Sequence, residues 1–158
     1  MALFQRRAPI VNNYKLDSLG LNKTILLVGL GNVGDEYDKT RHNIGFKALD
    51  YFVDTFEEMS EWSNKSDLKC HISMGKLGDK RIIAIKPTTF MNNSGEAVVK
   101  VKNFYKIEND SIIALHDELD INFGQIRIRS GGSSAGHNGI KSITEKLGTE
   151  NYGRIRIG

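Results

Sequence analysis

The sequence predicts one α/β domain, a mixed β-sheet sandwiched between helices. Three observations point there. The short continuous apolar runs Ile25–Val28 and Ile112–Leu115 have the character of strands buried on both faces. Three stripes of apolar residues at helical spacing are interleaved with them. Gln125–Arg129 and Arg154–Ile157 alternate Arg and Ile with period two, the mark of half-buried strands. A chain of 158 residues, 39% apolar and 26% charged, can bury one core and is too balanced in composition for disorder.

Residues 1–22 lack a periodic pattern and read as an N-terminal extension ahead of a domain spanning 23–158. A tail is preferred over a targeting segment. Arg6 and Arg7 precede the first acid, but there is no apolar core like that of a secretory signal, and the Arg/Ser enrichment of a transit peptide is weak. Ile25–Val28 then forms a strand closed by glycines. Leu49, Phe52, Val53 and Phe56 fall at i, i+3, i+4, i+7, one face of a helix. Lys69–Met74 and Arg81–Ile85 read as strands of a hairpin around Lys76–Asp79. Ala97, Val98, Val101, Phe104 and Tyr105 mark a second helix, and Ile112–Leu115 is another buried strand. Ile140, Ile143 and Leu147 mark a third helix, stopped by Gly148. The order is not strictly βαβ, so the sheet should be mixed.

Composition narrows the function classes. The longest apolar runs are only a few residues, so no membrane span and no membrane partner are expected. The single cysteine, Cys70, excludes an internal disulfide framework and a multi-cysteine zinc module, and fits a reducing compartment. The expected location is the cytoplasm, or an organelle if residues 1–22 are a targeting segment. The net charge of +3 is uneven: residues 122–158 carry six basic and two acidic side chains, whereas 24–121 carry 12 basic and 16 acidic. Such a basic end suits a polyanion-facing surface or, more simply, a solvated basic face.

Gly29-Leu30-Gly31-Asn32-Val33-Gly34 satisfies G-x-G-x-x-G after a strand and raises a dinucleotide-binding, oxidoreductase reading. The context opposes it. Asp35, Glu36 and Asp38 put negative charge where a diphosphate would lie, and the helical stripe starts only near Ile44. Polar groups gather instead just beyond strand ends: Asn32; Thr40-Arg41-His42-Asn43; Thr88-Thr89-Phe90-Met91-Asn92-Asn93; His116-Asp117-Glu118-Leu119-Asp120; and Gly136-His137-Asn138-Gly139. Each alone reads as a cap or a satisfied polar group, but four or more on one rim read as a site. No G-x-S-x-G elbow is present, and the four histidines form no H-x-x-x-H pair, so neither a serine acyl-enzyme nor a metal site is expected, and no cofactor. A histidine oriented by a carboxylate can take a proton from water, and asparagines can hydrogen-bond an oxyanion without titrating. Together they suit direct hydrolysis of an activated acyl bond such as an ester.

At these residues the sequence resembles the bacterial-type peptidyl-tRNA hydrolase family. The matching motifs are Val28-Gly29-Leu30-Gly31-Asn32-x-Gly34, Tyr37-x-x-Thr40-Arg41-His42-Asn43-x-Gly45, Lys86-Pro87-x-Thr89-Phe90-Met91-Asn92-x-Ser94-Gly95, His116-Asp117-Glu118-Leu119-Asp120, Gly136-His137-Asn138-Gly139 and Arg154-x-Arg156-Ile157-Gly158. They run in family order from Thr24 to the last residue. The resemblance implies hydrolysis of the ester between a peptide and the 3′ ribose of tRNA, with peptidyl-tRNA as partner through its acceptor stem and 3′ end, by a monomer. It implies His42 as the general base and Asp117 as the acid that orients it. Asn32 and Asn92 would hold the peptide and the attacked carbonyl, with Phe90 and Met91 in the same crevice. Asn138 would contact the ester or the water, His137 would neighbour it in the groove, and Tyr37 would lie near the tRNA end. Arg127, Arg129 and Arg156 fall at or near the family's acceptor-stem phosphate contacts, and the Arg stripes, Arg154 included, then gain a partner.

Departures from the family are few. Val33 stands where the family usually has Pro, and Ala135 where a glycine often precedes the His motif, which predicts a slightly different loop backbone. The family also continues past the Arg-Ile-Gly strand into a lid-like segment and a C-terminal helix, whereas this sequence stops at Gly158. Either the sequence is a fragment, or residues 1–22 partly substitute for that segment, or substrate is bound weakly; retained chemistry with weaker substrate affinity or stability is the expectation. A non-catalytic RNA-binding relative of the same fold, similar to organellar splicing factors, is the alternative reading.

Overall fold

A computed structural model describes residues 23–158; the N-terminal extension, residues 1–22, lies outside the described residues. The elements run β1 (Thr24–Gly29), α1 (Ile44–Thr55), β2 (Ser63–Lys65), β3 (Cys70–Leu77), β4 (Lys80–Pro87), α2 (Ser94–Tyr105), β5 (Ile112–Asp117), β6 (Ile126–Ser130), α3 (Asn138–Leu147) and β7 (Gly153–Ile157). They build one seven-stranded sheet in the order β2-β3-β4-β1-β5-β7-β6. The central strands β4, β1, β5 and β7 are parallel neighbours, and β2, β3 and β6 are added antiparallel at the two edges. The sheet is mixed and flanked by helices, as the periodicity predicts. No helix of the described residues is long and apolar enough to cross a membrane.

The alternation of side chains along each strand sorts the core into two halves. Leu26, Val28, Ile83, Ile85, Ile112 and Ala114 face one way and pack with Ala97, Val98 and Val101 of α2 and Ile140 and Ile143 of α3. Ile25, Leu27, Ile82, Ala84 and Leu115 face the other way, onto Leu49 and Val53 of α1. The runs are apolar throughout because both faces are covered. The hairpin turns on Gly78 at φ 63°, and α3 ends on Gly148 at φ 72°, both left-handed conformations that glycine adopts without a Cβ penalty. Ala135 takes φ 47°, so the loop before α3 keeps a left-handed step without a glycine.

The glycine fingerprint has a packing origin. A Cβ on Gly29 would lie 2.6 Å from the Gly45 carbonyl oxygen, and one on Gly45 would meet the Leu115 oxygen and the Leu30 backbone. These glycines let α1 press against β1 and β5. Asp35–Tyr37 forms only a 3-10 turn with no buried residue, and α1 starts at Ile44, well past the glycines. The dinucleotide reading therefore has no helix N-terminus where it needs one.

Two expectations are corrected at the sheet's far edge. Ile126 and Ile128 are 65% and 82% exposed rather than half buried, because β6 is an edge strand, and α1 packs over β1, β4 and β5 instead. Arg154 is no surface arginine: it is 2% exposed. Its guanidinium donates to the carbonyl oxygens of Ser133 and Glu150 at 2.9 and 3.2 Å and lies over the Tyr152 ring. The strand β2 had no sequence signal, since Ser63-Asn64-Lys65 is short and fully exposed.

Because the atoms facing Gly45 are backbone and cannot rotate away, Gly45→Ala should destabilise the fold by about 2–3 kcal/mol. Urea unfolding read against wild type checks this, and a midpoint within error of wild type would contradict the tight α1–sheet packing.

Candidate active site

The carboxylate of Asp117 projects from the end of the central strand β5, in a residue only 8% exposed. Its Oδ1 takes two imidazole contacts, His42 Nδ1 at 2.8 Å and His137 Nε2 at 2.9 Å. Residues 75 and 20 positions away in sequence thus meet on one oxygen. His42 reaches it from the 3-10 turn Arg41–Asn43 that leads into α1. His137 reaches it from the N-cap of α3.

The protonation pattern follows from the partners. His137 Nδ1 accepts the backbone N–H groups of Gly139 and Ile140 at 3.1 and 3.3 Å. That nitrogen must be unprotonated, so Nε2 carries the hydrogen and donates it to Asp117. Burial by itself would raise the Asp117 pKa. The hydrogen bonds donated by His137 and His42 outweigh it and hold the carboxyl well below the usual carboxylate range. An ionised Asp117 only accepts, so His42 donates from Nδ1 and keeps a free lone pair on Nε2. With its side chain 43% exposed, His42 can present that lone pair to water.

A third imidazole completes the cluster. His116 is 2% exposed, donates from Nδ1 to the Asp117 carbonyl at 2.7 Å and meets the His137 ring edge-on at 4.9 Å. Its Nε2 has no hydrogen-bond partner. Burial pushes its pKa down to about 4, so it is neutral at ordinary pH.

The asparagines occupy the neighbouring loops. Asn32, after β1, accepts the Met91 N–H on its Oδ1 at 2.7 Å, which leaves its side-chain NH2 as an uncommitted donor. Met91 is buried and its sulfur packs against Gly139 at the start of α3, while Phe90 and Asn92 beside it are exposed. Asn138 is exposed as the first residue of α3, next to His137. Asn32, His42, Met91, Asp117 and His137 are thus joined by direct bonds or packing. Tyr37 is not; it lies half-buried at the end of its own 3-10 turn. His137 has both ring nitrogens satisfied inside the protein, so its hydrogen bonds support Asp117 rather than a substrate.

Sequence reading missed Asn43. It is 2% exposed, and its side chain brackets the Asn32 backbone, accepting from Asn32 N–H at 2.8 Å and donating to Asn32 C=O at 2.9 Å. A polar residue after His42 reads as a helix cap, and only the fold reveals its partner.

Strand pairing aligns the basic residues. Arg127 lies opposite Arg156, and Arg156 lies beside His116 on β5; Arg129 lies opposite Arg154. Arg127 and Arg129 are exposed, and Arg156 is half-buried. The Arg129 guanidinium rests on the Cα of Gly132, where a Cβ would collide with it.

Candidate ligand atoms of His42, Asp117 and His137 lie within 4.8 Å of one another. A metal there would have to displace both protons that the network places on the facing nitrogens, so the donor set does not fit an ion. Cys70 is buried in β3, away from these loops, and burial together with Asp67 pushes its thiol up to about 12, which suits no nucleophile. What the arrangement offers is a solvent-facing imidazole base held by a buried carboxylate, beside amide donors.

The family model for peptidyl-tRNA hydrolase matches residues 26–158. The chain belongs to the peptidyl-tRNA hydrolase family. The peptidyl-tRNA hydrolase of Clostridium botulinum (strain Hall) is 45% identical over 133 residues, 84% of this chain and 69% of that protein. That of Clostridium perfringens (strain SM101) is 44% identical over 134 residues, covering 85% and 70%. The crystal structure of peptidyl-tRNA hydrolase from Acinetobacter baumannii superposes with a TM-score of 0.80 at 37% identity, over 85% of this chain and 68% of that one. The family's sheet with its helices is thus the fold of this chain.

The pH dependence of stability follows from two groups. His116 is depressed in the folded state, so the unfolded chain binds more protons between about pH 6.5 and 4, and stability falls as pH drops through that window. Asp117 is also depressed and adds a loss below its ordinary pKa of 3.8. The His116 contribution is about 3 kcal/mol in full. Urea midpoints at pH 7 and 4.5 should differ clearly in wild type and less in His116→Gln; equal slopes would contradict a buried neutral His116.

Proposed function

We propose that this chain hydrolyses peptidyl-tRNA, releasing peptide and free tRNA, with His42 as general base and no metal. The observation that carries the reading is the 2.8 Å contact between His42 Nδ1 and a buried Asp117 whose other partner fixes the proton arrangement. Family membership supplies the substrate, and the geometry supplies a route.

His42 Nε2 takes a proton from water as the oxygen attacks the ester carbonyl carbon. The imidazolium that forms is stabilised by Asp117 across the Nδ1–H hydrogen bond. The tetrahedral oxyanion accepts a hydrogen bond from the free amide hydrogens of Asn32, and Asn92 and Asn138 hold the peptide and the ester. The C–O bond to the 3′ ribose oxygen then breaks, and that oxygen leaves with the proton from His42 Nε2. The products are a peptide carboxylic acid, which ionises, and tRNA with a free hydroxyl.

The exposed Arg127 and Arg129, with Arg156, take acceptor-stem phosphates. Such contacts give affinity without sequence preference, as an enzyme serving many tRNAs requires. Tyr37 serves the tRNA end, and the exposed Phe90 lines the crevice beside Met91.

His42→Ala should lower release of free tRNA from a peptidyl-tRNA by at least about a thousandfold while leaving tRNA binding within a few-fold. Full activity in that variant would remove His42 from the chemistry. Arg129→Ala should weaken binding to every tRNA alike and flatten the log–log salt dependence by about one unit. A loss confined to one tRNA would contradict phosphate contact.

A further inference from the structure

We infer that Asn43 is a positioning residue for the reaction, acting through Asn32 and not on the substrate. The inference rests on the hydrolase reading above. Asn43 is buried at 2% exposure, and its amide is spent on both backbone polar groups of Asn32, at 2.8 and 2.9 Å. Asn32 in turn is fixed on its far side by the Met91 N–H on Oδ1 at 2.7 Å. Leu30 N–H donates to the Leu115 carbonyl at 3.0 Å, tying the same loop to β5 two residues before Asp117. The loop carrying Asn32 is therefore held at three points, and only Asn43 grips the residue's own backbone twice.

This grip decides which way the Asn32 amide faces. With Oδ1 committed to Met91 and the backbone immobile, the NH2 group is the one free polar group of Asn32, a donor set in advance of the substrate. Asn43 directly follows His42 in the same 3-10 turn, so one short segment places both the base and the support of the oxyanion donor. Releasing the grip lets the Asn32 loop move while His42–Asp117 stays intact. An ångström of misplacement in such a group is worth up to about a hundredfold in rate.

The test uses the full chain and a peptidyl-tRNA substrate. Asn43→Ala removes both bonds; Asn43→Asp keeps the acceptor for Asn32 N–H but sets an oxygen against the Asn32 carbonyl. Both should lower kcat by about ten- to a hundredfold, with KM within threefold of wild type and the acid limb of the pH–rate profile unmoved. Adding Asn43→Ala to Asn32→Ala should cost nothing further, because the donor that Asn43 positions is already gone. Wild-type rates in both variants, a rise confined to KM, or losses that multiply with Asn32→Ala would overturn the assignment. Unfolding of both variants in a melting experiment would make Asn43 a core strut and overturn it as well. A wild-type chain that leaves peptidyl-tRNA intact would instead sink the hydrolase reading and this inference with it, so the two failures are separable.

Discussion

One carboxylate oxygen organises this molecule. Asp117 Oδ1 accepts from His42 and from His137, and His137 could not be turned around without breaking its bonds to Gly139 and Ile140. The order of polarity runs from the first amides of α3 into His137 Nδ1, out of its Nε2–H to Asp117, and from His42 Nδ1–H to the same oxygen. A helix N-terminus normally satisfies its free N–H groups with a Ser, Thr, Asp or Asn cap. Here an imidazole does so, and the cap therefore selects the tautomer two bonds from the solvent-facing nitrogen. Helix capping and base activation become one hydrogen-bond chain.

That chain requires α1 to ride close to the sheet. Gly45 lies against the Leu115 carbonyl and the Leu30 backbone, and His42 precedes Gly45 by one turn while Asp117 follows Leu115 by two residues. The distance from the helix axis to β5 therefore fixes the reach of His42. A larger side chain at Gly29 or Gly45 would collide with backbone atoms of the neighbouring segment, lift the turn and stretch the 2.8 Å contact. The glycines that imitate a nucleotide fingerprint serve this close approach, which is why the fingerprint alone misleads and the position of the helix start corrects it.

The central strands and all three helices were legible because their signal is local: continuous apolar runs for strands covered on both sides, and 3.6-residue stripes for helices covered on one. Leu49 and Val53, or Ile140 and Ile143, are buried as their spacing predicts. The edges were less legible. Alternation in Ile126–Ser130 gives a strand correctly but says nothing about what covers it, and both isoleucines are exposed. Arg154 shares its pattern with Arg156 yet is buried against Tyr152, a difference set by the loop at Ser133 and not by the strand. Within the site, the family resemblance pointed to His42, Asp117 and Asn32, but the bond of His137 to Asp117 and the grip of Asn43 depend on contacts 11 or more positions apart, which no spacing encodes.

Register also explains how the basic end of the chain bears on the site. Neighbouring strands lie about 4.8 Å apart, and in the row His116, Arg156, Arg127 each residue is paired with the next. His116 precedes Asp117 directly, so this row begins at the carboxylate's own strand and ends at the exposed sheet edge. The residues on it grow steadily more exposed, from His116 at 2%, through half-buried Arg156, to exposed Arg127. A cationic His116 would be repelled by the nearby Arg154, and burial keeps it neutral. The positive charge is thus displaced outward, where a polyanion can reach it, and kept from the oxygen that must remain the anion of the site.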